Sequence, residues 1–372
     1  MTFAEGRGYR AGGAPVRAQG EEFDVTYGDS EAAALYMREI YRGQDVHPNI
    51  DEFTKVPVAK RDADKQLERE LGQKYKMTMG RENVPTEEGG VLEQFLIREM
   101  DRNDWLGGAA FRTTKFDDFK GIDTVLEWDE ADRFGRYPRL LVDFTTSKLP
   151  ERVAEKREKS VRGGKVEYYR SPFETDENGK EKELSIYDQP VVILGIDKTF
   201  MPRIAGMAKK NEKPRTMRDG MLSRNISPQT FNEHPLQILL LEQAIAQVDT
   251  QVRAAAARLL NLEKTIGDRA AEDRLYALRS RIASGRTTPE EMIKMLGEIE
   301  PALRAYQEKN KTNMAVMSNV LAIPKWENIA AVYQLLSEKL AGVQANKNAD
   351  QLMAARAWKS ASVTHRLLTK AA

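Results

Sequence analysis

The sequence predicts an α+β protein in two parts, a mixed sheet flanked by helices over residues 86–200 followed by an all-helical module over 234–372. Three observations carry this. Between Ala109 and Ile196, short runs rich in β-branched and aromatic residues alternate with glycines and polar turns, as strands do. Beyond Leu236, apolar residues recur at intervals of three and four, the helical period. With 41% hydrophobic residues in 372, the chain can bury two cores, and 31% charged residues with a mean hydropathy of -0.59 give a well-solvated surface.

Residues 1–85 read as a partly disordered extension. Met1 to Ser30 is rich in Gly, Arg, Ala and Glu without a structural period and reads as a mobile tail. Ala32 to Tyr41 predicts a short helix. Leu67, Leu71 and Tyr75, four apart among charges, predict a second, amphipathic one from Asp62 to Tyr75.

The core opens with a helix capped by Thr86, with Glu87 and Glu88 in its first turn and a stripe of Leu92, Phe95, Leu96 and Met100, ending near Asn103. After Gly107 and Gly108, three strands are expected as a meander: Ala109 to Thr114, Ile122 to Trp128 and Arg139 to Thr145. A charged surface helix follows from Leu149 to Arg162, with Pro150 in its first turn and Gly163 and Gly164 ending it. Two more strands are expected, Lys165 to Tyr169 and Pro190 to Ile196, with a turn at 176–179 between them. The second is apolar on both faces and so is expected at the centre of the sheet.

Lys198 to Arg224 carries eight basic and two acidic residues among prolines and glycines, so 201–233 reads as a basic linker. The helical module then holds helices at Leu236 to Leu262, Ala270 to Ala283 and Trp326 to Ala341. Another starts at Thr288-Pro289-Glu290-Glu291, where Thr288 caps, Pro289 fits the first position and Glu291 closes a capping box. His234-Pro235 marks the start of the first of these.

Composition excludes much chemistry. Cysteine is absent, which removes disulfides, thiolate metal sites and cysteine nucleophiles. His47, His234 and His365 are too scattered to suggest a histidine-rich zinc site, so carboxylates are the expected metal ligands and Mg2+ or Mn2+ the expected cofactor. No Walker loop, dinucleotide fingerprint or nucleophile elbow is present. Without a signal peptide or an apolar membrane span, a cytoplasmic protein with no membrane partner is expected. The net charge of +1 means that nucleic acid must be met by local patches, and Lys209, Lys210, Lys213, Arg215 and Arg218 form the least compensated one. The helix from Leu149 carries Arg152, Lys156 and Arg157 too, but with glutamates interleaved that make either phosphate contacts or surface ion pairs.

Two strands place acids where chemistry is possible. Asp123 opens one, and Asp143 lies near the end of another, sharing a face with Thr145 while Val142 and Phe144 share the opposite face. An acid on an apolar strand needs a partner or a metal. Asp123, after Gly121, also suits a turn, and Glu93 borders the apolar stripe of its helix as Glu99 does. Asp117 and Asp118 could add ligands, but a double aspartate near a glycine reads more readily as a solvated loop.

Glu93 on the first helix, Phe-Asp-Asp-Phe-Lys-Gly-Ile-Asp over 116–123 and Leu-Val-Asp-Phe-Thr-Thr-Ser-Lys over 141–148 together resemble the PD-(D/E)XK nuclease superfamily. The resemblance spans about 110 residues of the chain. It implies a restriction-endonuclease-like mixed sheet, with Glu93, Asp123 and Asp143 as metal-binding carboxylates beside a catalytic lysine and phosphodiester hydrolysis as the activity. Thr145 stands where that family has its lysine, so Lys148, or Lys156 three residues after Val153 on the sheet-facing side of the next helix, is the expected substitute. The alternative is a catalytically inactive protein of the same fold, whose C-terminal helices bind a protein partner or a second copy.

Overall fold

The computed structural model describes residues 30–41, 47–78, 87–131, 136–146, 149–161, 163–218, 221–226 and 228–369. In chain order these form α1 (Ser30–Tyr41), α2 (Val58–Thr78), α3 (Glu87–Arg102), β1 (Ala109–Arg112), the short α4 (Lys115–Phe119), β2 (Thr124–Glu127), β3 (Arg139–Thr145), α5 (Pro150–Val161), β4 (Gly164–Thr175), β5 (Glu181–Gln189), β6 (Val191–Gly195), α6 (Met201–Lys210), β7 (Glu212–Arg218) and β8 (Met221–Ile226). The helical C-terminal region follows as α7 (Leu236–Leu259), α8 (Arg269–Ala283), α9 (Pro289–Glu298), α10 (Glu300–Asn310), α11 (Met317–Ala345), α12 (Ala349–Ala361) and α13 (Val363–Thr369). The protein is mixed α+β, with a small mixed sheet. None of the described helices is long and apolar enough to cross a membrane.

The expected meander forms: β1 pairs antiparallel with β2, and β2 with β3, while β6 joins β3 in parallel, giving the order β1-β2-β3-β6. Alternation along the strands divides the core as the period of two requires. Leu140, Val142 and Phe144 of β3 face the large helical cluster, whereas Leu141 meets Val166, Tyr169 and Ile186 of the β4–β5 hairpin on the other side. Asp143 and Thr145 continue the Leu141 face.

Strand β6 corrects an expectation, because it lies at the edge of the sheet and not at its centre. It is apolar on both faces because both are packed, Val192 and Leu194 in the large helical cluster, Val191 against the hairpin and Ile193 against Val153 and Leu368, and its edge is covered as well. Helix α7 lays a ladder of glutamines along it: Gln243 bonds both the N–H and the carbonyl of Gly195 (2.9 and 2.8 Å), Gln247 does the same at Ile193 (2.9 and 2.8 Å), and Gln251 donates to Val191 O (2.7 Å). Four helical residues rise about 6 Å and two strand residues about 6.6 Å, so every fourth side chain of the helix meets every second residue of the strand. The helix thereby satisfies backbone groups that a free edge would leave open to pairing with another chain.

Residues 201–210, expected within a linker, form α6 with Met201, Ile204, Ala205, Met207 and Ala208 buried, and β7–β8 follow as an antiparallel hairpin. Pro202 does not break α6 because it sits in the first turn, where no N–H partner is lost. Helix α1 packs on α6 and α3, burying Met37 and Tyr41, with the Tyr41 ring edge-on to Phe95 at 5.8 Å. Burying each such side chain is worth about 1.5–3 kcal/mol. One apolar cluster runs without interruption from Ala33 on α1 to Trp358 on α12. The capping box at Thr288 forms as expected, and His234 accepts the Leu236 N–H at the start of α7 (3.1 Å).

Candidate metal centre

The site is built where the β1–β2 connection crosses the end of β3. Thr114 caps α4 by accepting the Asp117 N–H (3.3 Å), and the chain then reverses at Gly121, whose φ of +88° suits glycine. This turn places Asp118 and Asp123, five residues apart, on one patch. Asp123 is locked by its own backbone: its N–H donates to Val142 O (2.9 Å), and its Oδ2 accepts the Phe144 N–H (2.6 Å). Asp123 and Asp143 are thus tied to adjacent strands at one end of the sheet.

Glu93, from α3, joins them. Ligand oxygens of Glu93, Asp118 and Asp123 all lie within 4.8 Å of one another, with Asp123 buried and the other two half-buried. The Asp123 carboxyl is raised well above the usual carboxylate range, first by burial, then by the charges of Glu93, Asp143 and Asp118 and by a hydrogen bond with Asp118. Asp143 takes a different partner. Lys156 of α5 donates to Asp143 Oδ1 (2.5 Å) and to Phe144 O (2.9 Å), so the lysine approaches from the helix as the spacing from Val153 suggests. Lys148 lies outside the described residues.

A carboxylate-only donor set at this spacing fits a hard divalent cation, Mg2+ or Mn2+, which would relieve the repulsion among these acids. The closest grouping includes Asp118 and leaves Asp143 to Lys156, which differs from the trio Glu93, Asp123 and Asp143 that the resemblance implies.

The double aspartate is not a solvated loop. Asp117 is buried and accepts from Thr114 Oγ1 (2.9 Å), Glu167 N (2.9 Å) and Tyr168 N (3.3 Å), tying α4 to β4; burial pushes its carboxyl up to about 6. Asp118 faces the cluster. Two further residues were not singled out by sequence reasoning. Arg112, the last residue of β1, forms an ion pair with Glu93. His47 lies 3.3 Å from Arg112 Nη2 and 3.6 Å from Asp118 Oδ2 through its Nε2. A basic residue following Phe111 on a strand that leads to the Asp-Asp turn was the available signal for Arg112; nothing local marks His47.

Of the basic patch, Lys209 is exposed, 3.8 Å from Glu212, with its ammonium over the Tyr36 ring (5.4 Å), and Lys210 is exposed beside it. Lys209 is therefore compensated in part, contrary to expectation. The side chains of Lys213, Arg215 and Arg218 lie outside the described residues. No family model, curated protein or solved structure matches the chain.

Proposed function

We propose that the chain is a divergent metal-dependent nuclease of the PD-(D/E)XK type, with a restriction-endonuclease-like sheet, acting on nucleic-acid phosphodiesters with Mg2+ or Mn2+. The observation that carries the reading is the convergence of Glu93, Asp118 and Asp123 within 4.8 Å, beside the Asp143–Lys156 pair at the same end of the sheet. The helix glutamate, the acid of the β1–β2 hairpin, the acid on the next strand and a nearby lysine are the parts the resemblance calls for.

Glu93, Asp118 and Asp123 would hold the cation. Bound there, it supplies an activated water and neutralises charge developing on the phosphate. Asp143 fixes Lys156, and the second bond of Lys156, to Phe144 O, holds the ammonium against the end of β3, where it can orient a water or a phosphate oxygen.

A second reading has one observation in its favour. The Arg112–Glu93 ion pair already compensates one acid, as it would in an inactive protein of the same fold that uses its helices to bind a protein partner or another copy. Magnesium-supplemented digestion of single-stranded DNA, duplex DNA and RNA separates the two. The nuclease reading expects cleavage by the wild type and a loss of about 100-fold or more in Asp143→Asn with the fold intact. No cleavage of any substrate by the wild type favours the inactive protein, and equal cleavage by Asp143→Asn rules out this site as the source.

A further inference from the structure

Arg112 places a permanent positive charge among acids that fit a cation. Its residue pairs with Thr124 across the β1–β2 ladder, next to Asp123, so the strand register alone brings it to the site. The side chain is only 13% exposed and its guanidinium reaches Glu93. His47 steadies it from behind. His47 Nδ1 lies 2.9 Å from the Thr113 carbonyl oxygen, which can only accept, so Nδ1 carries the proton and the Nε2 lone pair faces Arg112 Nη2 at 3.3 Å. A guanidinium does not deprotonate in proteins, so Arg112 is the donor in this contact.

We propose that Arg112 binds a phosphate oxygen of the nucleic-acid backbone at this site, with His47 as the residue that positions its guanidinium. The proposal rests on the nuclease reading and adds to it the group that receives the substrate. Three features point this way. Lys156, the cation on the other side of the acids, is held by Asp143 and Phe144 O, whereas Arg112 stands on the Glu93 side. Glu93 belongs to the closest carboxylate grouping, so a divalent cation held there would share its charge and weaken its hold on Arg112. The planar guanidinium, kept in place by His47, suits two oxygens of one phosphate better than any ammonium does. In a purely structural role, Arg112 would serve only as the counter-ion of Glu93.

The two roles separate in binding measurements on the full chain. The probes are Mn2+ alone, by calorimetry, and a short fluorescent phosphorothioate oligonucleotide, as DNA and as RNA, by anisotropy at low salt in Ca2+ or EDTA. Arg112→Gln is expected to bind Mn2+ at least as tightly as the wild type, because a competing cation is gone. Its oligonucleotide affinity in Ca2+ is expected to fall by about tenfold or more, the worth of a charge-assisted hydrogen bond, with little change in EDTA. Undiminished oligonucleotide affinity overturns the proposal, and so does a parallel loss of Mn2+ binding, which marks a structural role. Should Arg112→Gln fail to fold, Arg112→Lys keeps the charge without the planar fork. It is then expected to lose oligonucleotide affinity severalfold with Mn2+ binding unchanged, and undiminished affinity overturns the proposal. A wild type that binds neither Mn2+ nor oligonucleotide overturns the nuclease reading itself, whereas a wild type that binds both with an indifferent Arg112→Gln overturns only the role of Arg112.

Discussion

Lys156 Nζ lies 2.5 Å from Asp143 Oδ1 and 2.9 Å from Phe144 O, so the acid of β3 meets a lysine delivered by α5 and not by its own strand. Asp143 is nearly buried, while the lysine side chain is 34% exposed. Lys156→Met therefore leaves a carboxylate short of its cation. After discounting for the solvent around the ammonium, we expect a loss of about 1–2 kcal/mol in urea unfolding. In the nuclease assay the same variant is expected to lose about 100-fold or more of the cleavage rate. A Lys156→Met protein that is as stable and as active as the wild type would remove Lys156 from the account.

The buried imidazole of His234 makes stability depend on acidity. It packs between Trp105 and Trp358, and burial pulls its pKa down to about 3 from an ordinary value near 6.5. Between these two values the unfolded chain binds a proton that the folded one refuses, so stability is lost as pH falls from about 6.5 toward 3. His365, lowered to about 4 chiefly by burial, acts in the same direction. His234→Asn keeps an acceptor for the Leu236 N–H and is expected to show a shallower decline of melting temperature between pH 6.5 and 4. Identical slopes for the two proteins would show that His234 is not the source.

Much of the core was legible because its signals are local. The apolar run of β3, the stripe of α3, the charged α5 closed by glycines and the capping box at Thr288 all depend on residues close in sequence, and each appears within a few residues of its expected place. Asp143 was legible for the same reason, as an acid on an apolar strand. Asp118 was legible only as a possible added ligand beside the favoured loop reading, because its placement depends on a five-residue helix that turns one aspartate into β4 and its neighbour toward Glu93. The signal for β5 was present in Leu184 and Ile186, two apart, but charged neighbours masked it. Helix α6 was hidden by its proline, glycine and lysines, although Met201, Ile204, Ala205 and Ala208 have helical spacing. The edge position of β6 depends on glutamines 50 or so residues away in sequence, beyond the reach of any local pattern.

The glutamine ladder gives a stability test independent of any activity. Gln247 satisfies both backbone groups of Ile193 from within the core. Gln247→Leu fits the apolar surroundings but leaves a buried N–H and a buried carbonyl unpaired, each costing about 1–3 kcal/mol. We expect a lower urea midpoint and more aggregation on refolding, since the β6 edge is then open to another chain. An unchanged midpoint would mean that the ladder contributes nothing net.

The basic segment around α6 and β7 is expected to add salt-sensitive, sequence-independent affinity for nucleic acid. Replacing Lys209, Lys210 and Lys213 together by glutamine should weaken DNA and RNA binding and flatten its dependence on salt, by up to about three in the logarithmic slope. The partial pairing of Lys209 with Glu212 makes a smaller change the expectation for that residue alone. A wild type that shifts neither DNA nor RNA at low salt contradicts this assignment.

The central claim is that Glu93, Asp118 and Asp123 together hold a divalent cation, and calorimetric titration of Mn2+ into the full chain tests it most directly. Burial and the neighbouring acids raise the Asp123 carboxyl, and a cation binds the ionised form, so binding is expected to tighten as pH rises. The account expects binding by the wild type at millimolar concentration or tighter. Removing one carboxylate ligand in Asp118→Asn or Asp123→Asn should weaken it by about tenfold or more, with the fold retained by circular dichroism. No heat of binding from the wild type at millimolar Mn2+, or equal binding by the wild type and both variants, would contradict it.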